Sequence, residues 1–229
     1  MRYLEMYDAA LARLSDARDP SEPPLAKYVA AAEERMGARI PAALRQVYFS
    51  HAASWLRGLI APDYPFSRLA VVEGALQFWE GRGHERVLGI AEAELGADDP
   101  PLVIGRGMIS DSWLHGGPVE WEPFVPAASG FLLHALHASA LRRHMRFRAA
   151  RVTPEWEMVP MLRERFPEIG RTRNTDGGWE IFFGAEGRLI SAEPWTTRAG
   201  ARTAEDAAAI EEATGGLLSP REDVKPEEE

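Results

Sequence analysis

Gly74–Ile104 constrains this chain more than any other stretch. Its apolar residues come in short runs bounded by glycine, proline and acids. Ala75–Trp79, Arg86–Ile90 and Leu102–Ile104 predict three strands. A turn at Gly81–His84 joins the first two, and an acidic loop closed by Asp98-Asp99-Pro100-Pro101 precedes the third. Runs of that length with turn residues between them describe an antiparallel meander. The stretch holds no recognisable catalytic set.

Helical spacing appears on either side of it. Leu4, Tyr7, Leu11 and Leu14 would share one face of a helix over Tyr3–Leu14. A second helix is expected from Pro24 to Met36, with Gly37 able to take the left-handed stop. Ile40-Pro41 opens a third, burying Leu44, Val47 and Tyr48. Gly105–Pro126 reads as irregular, and Ser129–Arg148 as one long helix whose basic end suits the helix dipole. A helix after Thr153 would turn Leu162 and Phe166 inward, with Pro160 interrupting its first half.

Trp179–Phe183 and Arg188–Ala192 form a hairpin, and Thr203–Asp206 resembles a capping box before a last helix that stops at Gly215-Gly216. The expected class is α+β, a mostly antiparallel sheet with helices packed against it. Residues 1–216 form one domain in this reading, with a core over about 25–150 and an extension over 151–216. Residues 217–229 are expected to be a disordered acidic tail.

Composition removes several functions. There is no cysteine, hence no disulfide or thiolate chemistry. Met1-Arg2-Tyr3-Leu4-Glu5 lacks the cationic and apolar regions of a signal peptide. No apolar run approaches the roughly 20 residues of a membrane span. The expected location is the cytoplasm, with no membrane partner. The net charge of −9 favours basic partners over nucleic acid.

The order of these parts carries a resemblance. Ile40-Pro41-x-x-Leu44-x-x-Val47-Tyr48 is followed by Leu76-Gln77-Phe78-Trp79-Glu80, Val87-Leu88-Gly89-Ile90 and Asp98-Asp99-Pro100-Pro101-Leu102-Val103. A leucine-rich helix then begins near Phe131. Over roughly Leu25–Arg142 the chain resembles the SUKH superfamily, which includes the yeast cell-wall assembly regulator and many bacterial immunity proteins. The resemblance implies a sheet backed by helices. In bacteria it implies a non-enzymatic inhibitor that binds a cognate toxin, often a nuclease, inside the producing cell. A regulatory or scaffold protein of the same superfamily is the alternative.

The candidate partner-binding residues are Glu92, Glu94, Asp98 and Asp99, an acidic patch able to steer a basic toxin domain, with Trp113 and Trp121 as aromatic anchors. An ordinary solvated loop is the competing account of the four acids. No catalytic residue, metal ligand or cofactor is expected. His134 and His137 stand three apart on a helix without an accompanying acid. His115, Asp111 and Glu120 motivate a hydrolase reading only by their closeness. The arginines of Arg142–Arg151 motivate a nucleic-acid reading, against a helix end dressed with cations. Buried ionisable groups converging on an enclosed cavity would argue against a molecule that acts by its exterior alone.

Overall fold

The structure, a computed structural model, describes residues 2–14, 26–50, 56, 69–80, 86–106, 119–153, 156–174 and 178–222. The class is α+β. The chain divides into two compact units, Met1–Asp8 with Asp19–Ala135, and Ala9–Arg18 with Leu136–Glu229.

The first unit contains α2 (Ala26–Met36), α3 (Ala42–Val47) and the start of α1 (Arg2–Leu14). Its strands are β1 (Ala70–Val72), β2 (Ala75–Glu80), β3 (Arg86–Ala91), β4 (Leu102–Arg106) and β5 (Glu120–Val125). They lie in the order β1-β2-β3-β4-β5, each antiparallel to the next. The meander expected at Gly74–Ile104 is therefore present, and Gly37 takes the left-handed stop at φ 65°. The expected irregular stretch ends earlier than Pro126, because β5 occupies Glu120–Val125 as an edge strand. Leu76, Phe78, Leu88, Ile90 and Leu102 are fully buried within this unit.

Side-chain hydrogen bonds tie the helices of this unit together, two of them at the free N–H groups of a helix start. Gln46 Oε1 of α3 accepts from Tyr3 N and Leu4 N at 3.0 and 2.9 Å, closing the first turn of α1. Glu33 of α2 accepts from Ile40 N at 3.0 Å. The Tyr7 hydroxyl donates to the Ala43 carbonyl at 3.1 Å.

The end of α1 belongs to the second unit, and α4 (Ala128–Ser139) enters it from Leu136, running into a π-turn at Ala140–His144. The expected helix to Arg148 is corrected here: Met145 is extended, and Phe147–Val152 is a strand, β6. Then come α5 (Val159–Arg165), β7 (Glu168–Arg173), β8 (Trp179–Ala185), β9 (Arg188–Glu193), β10 (Thr196–Ala201), α6 (Ala204–Ala213) and β11 (Arg221–Glu222). The sheet order is β11-β6-β10-β9-β8-β7, all antiparallel. Pro160 lies in the first turn of α5, where a missing N–H costs nothing.

Strand alternation gives this sheet two different faces. Ile181, Phe183, Ile190 and Ala199 join Leu162 and Phe166 of the α5 segment and Ile210 of α6 in one apolar cluster. On the other face Gly200 lies under Met145 and Leu141; a Cβ at that position would stand 2.5 Å from the Met145 sulfur. Thr203 caps α6, its Oγ1 accepting from Asp206 N at 3.0 Å, as the capping-box pattern anticipates. Residues 218–222, within the stretch expected to be a tail, make contacts within the second unit. Leu218 is buried, its N–H donates to Thr214 Oγ1 at 3.1 Å, and Arg221–Glu222 pair with β6. Residues 223–229 lie outside the described part.

Candidate interaction surface

Between β3 and β4 the chain makes a 3₁₀ turn at Glu92–Glu94 and then the Asp-Asp-Pro-Pro segment. The Glu92 N–H donates to the Gly74 carbonyl at 2.7 Å, pinning the start of the loop. At its far end three consecutive residues serve two helices. The Asp98 carbonyl accepts from Ala43 N of α3 at 2.9 Å, and the Pro100 carbonyl accepts from Ala128 N of α4 at 2.8 Å. The Asp99 carboxylate accepts from Ser129 N at 2.8 Å and from Ser129 Oγ at 2.5 Å.

Each of these N–H groups is a helix-start donor with no partner inside its own helix. An anion at the α4 N-terminus also meets the positive end of the helix dipole. The loop is thus a clamp, and its prolines donate no N–H that would compete.

The four candidate acids consequently differ. Glu92, Glu94 and Asp98 are exposed, with side chains toward solvent, while Asp99 is half-buried and committed to Ser129. The Asp99 charge also reaches α1. It is one of the causes that raise the pKa of Tyr7, after the larger effect of burial. Loop residues 91–100 carry no basic residue. The whole first unit has seventeen acids against ten bases, a net −7.

Of the two candidate aromatic anchors only Trp121 is among the described residues. Trp113 lies outside the described residues. Trp121 is half-buried on β5, and its ring lies against its own sheet. Cβ atoms added at Gly89 and Gly105 would stand 3.0 and 3.1 Å from it, so those glycines make room for the indole. Its Nε1 is buried without a hydrogen-bond partner among the described residues. Comparison with protein-family models, curated proteins and solved structures finds no match.

The remaining sequence candidates resolve unevenly. His134 and His137 are buried, at 9% and 7% exposure, and burial lowers the pKa of His134. No group of three or more potential metal ligands forms among the described residues. Asp111 and His115 lie outside the described part, and Glu120 is exposed on β5. The arginine stripe is divided between the π-turn and β6. Arg142 meets Glu193 at 3.5 Å, Arg146 meets Glu222 at 2.7 Å, and Arg151 donates to the Leu217 carbonyl at 3.4 Å.

Two features of the second unit were not anticipated. The first is a buried polar cluster on the face of the sheet opposite the apolar one. Glu180 is 5% exposed; burial first, then neighbouring Glu193, push its carboxyl up to about 7, against the attraction of Arg142 and Arg198. Glu193 forms ion pairs with both arginines. The wholly buried Ser191 hydroxyl lowers the Glu180 pKa, though it makes no hydrogen bond of ordinary geometry. One buried acid thus meets three partly exposed ionisable groups at this face of the sheet. Glu180 is able to exchange a proton near neutrality, while Glu193 is held by two cations. A glutamate within Trp-Glu-Ile-Phe-Phe was the available signal, since an acid on the inner side of a strand needs partners.

The second feature is a pair of exposed tryptophans, Trp179 at 47% and Trp195 at 61%. Arg171 and Arg173 of β7 both lie over the Trp179 ring, each 5.7 Å from its centroid. The Arg-x-Arg alternation before Trp179 was legible as a pattern, but its exposure depends on β7 being the outer strand.

Proposed function

We propose that this chain is a non-enzymatic protein-binding molecule of the SUKH type, an immunity protein that occludes a cognate basic toxin domain inside the producing cell. One observation carries the reading. Asp98–Pro100 fastens the start of α3 and the start of α4 to the same loop. Three of the five sequence segments behind the resemblance are thereby parts of one hydrogen-bonded junction. That junction also presents Glu92, Glu94 and Asp98 to solvent on a unit of net −7. Exposed like charges on a pinned loop accelerate encounter with a basic partner and cost little conformational entropy on binding.

The test is association with the toxin domain encoded beside this gene, followed by stopped-flow or surface-based kinetics at several salt concentrations. The expected result is fast association that slows as salt rises, and that slows at least tenfold at low salt in the combined Glu92→Gln, Glu94→Gln and Asp98→Asn variant. No complex with a neighbouring toxin, or association indifferent to both salt and these substitutions, would refute the proposal.

A regulatory or scaffold role in the same superfamily would use the same surface without toxin neutralisation. Protection of cells that express the toxin separates the two readings.

A further inference from the structure

The strand β7 ends its side of the six-stranded sheet; among the described residues no strand lies beyond it. Among the described residues no backbone partner lies along its outer side, and such an edge is the template on which an extended segment can add. Thr172 is buried between exposed Arg171 and Arg173, so the two guanidinium groups project on the same side, two residues apart. Across the pair from β8, Trp179 stands opposite Arg173 and offers its ring to both arginines. Among the described residues neither arginine forms an ion pair, whereas Arg142, Arg163, Arg188, Arg198 and Arg221 of the same unit each do.

We propose that the Arg171–Trp179–Arg173 edge is a docking site for an extended acidic segment of a partner protein. A strand laid against β7 would bring carboxylates at alternate positions, roughly 7 Å apart, beside guanidinium groups of the same spacing. The guanidinium groups are oriented by the ring beneath them and keep N–H donors for carboxylate oxygens. Exposed Trp and Arg are also the residue types that carry most binding energy at protein interfaces. A nucleic acid fits less well, because two cations on a chain of net −9 offer few phosphate contacts. This surface is independent of the acidic loop and opposite to it in sign.

Fluorescence anisotropy tests the site with a labelled octapeptide of alternating Val and Glu, its Val-Lys counterpart, and a twelve-residue oligothymidylate. The full chain is expected to bind the Val-Glu peptide and to ignore the Val-Lys one. Combined Arg171→Ala and Arg173→Ala should weaken binding at least tenfold, with Trp195→Ala leaving it unchanged. Arg171→Lys with Arg173→Lys keeps the charge, loses the planar fork, and should fall between. Circular dichroism checks that each variant is folded; should the alanine variant fail, the lysine variant carries the comparison. Absence of Val-Glu binding, binding indifferent to the arginine substitutions, preference for the oligothymidylate, or sedimentation showing that β7 instead joins two copies of this chain would overturn the proposal.

Discussion

Asp99, half-buried in one unit, and Glu180, buried in the other, make an instructive contrast. Asp99 receives two hydrogen bonds from Ser129 at the start of a helix. Its charge is thereby matched to donors that need an acceptor. Glu180 lies deep against a β-sheet, beside a second carboxylate, with the nearby cations engaged by Glu193. The first acid has its oxygens matched to hydrogen-bond donors. The second has its proton affinity raised by burial and by a neighbouring acid. At Glu180 burial is the larger cause, the second carboxylate adds to it, and the cations engaged by Glu193 offset only part of the rise.

The largest effect expected from this contrast is a pH dependence confined to the second unit. The Glu180 pKa is raised from 4.5 to about 7. Between those values the folded state holds more protons than the unfolded chain, so stability declines as pH rises and levels off above about 7. A shift of this size corresponds to something on the order of 3 kcal/mol. Urea unfolding at a series of pH values, followed through the exposed tryptophans of this unit, measures the slope. Glu180→Gln should flatten it while keeping the shape of the buried group. A slope that persists in that variant would place the titration elsewhere and break the comparison.

Next in size is the loss of Asp99. Asp99→Ala removes the acceptor for both Ser129 donors and should cost about 1–2 kcal/mol, the usual range for deleting a helix-start cap. Its neighbour sharpens the point. Asp98 uses its backbone carbonyl for α3, and a carbonyl survives any substitution. Asp98→Ala should therefore change stability by less than about 0.5 kcal/mol. Equal losses at the two positions, read from denaturant midpoints, would contradict the clamp. Thr203→Ala, which deletes the cap of α6, supplies a reference in the second unit and should cost about 1 kcal/mol.

What the sequence disclosed follows the range of the forces involved. The meander, the stop at Gly37, the hairpin of β8 and β9 and the Thr203 cap are local patterns, set by residues within a few positions of one another. The α+β class follows from them. The helix expected to reach Arg148 failed because apolar spacing continues through Met145, while the strand after it is decided by pairing with β10. Strand β7, with its glycine and arginines, has little intrinsic strand preference and is held by its ladder with β8. The same limit applies to the surface. Four acids in one loop are equivalent on paper, and only the approach of Ser129 separates Asp99 from the rest. Trp121 and Trp179 exchange roles because two glycines, distant in sequence, open a bed for one of them.

The smallest effect on stability belongs to the three exposed acids, and it is the most informative about function. Among the described residues the side chains of Glu92, Glu94 and Asp98 form no hydrogen bond or ion pair, so replacing all three with their amides should change stability by no more than about 0.5 kcal/mol. Removing like charges from a unit of net −7 relieves repulsion, and the change could even be favourable. A residue conserving neither stability nor packing at its position is free to serve recognition. If the amide variant keeps its stability and loses its salt-dependent association with a basic partner, the exposed and clamped acids of one loop have separate tasks. If instead stability falls with Asp99 left intact, the loop is held by its charges as well as its backbone, and the distinction between the two kinds of acid disappears.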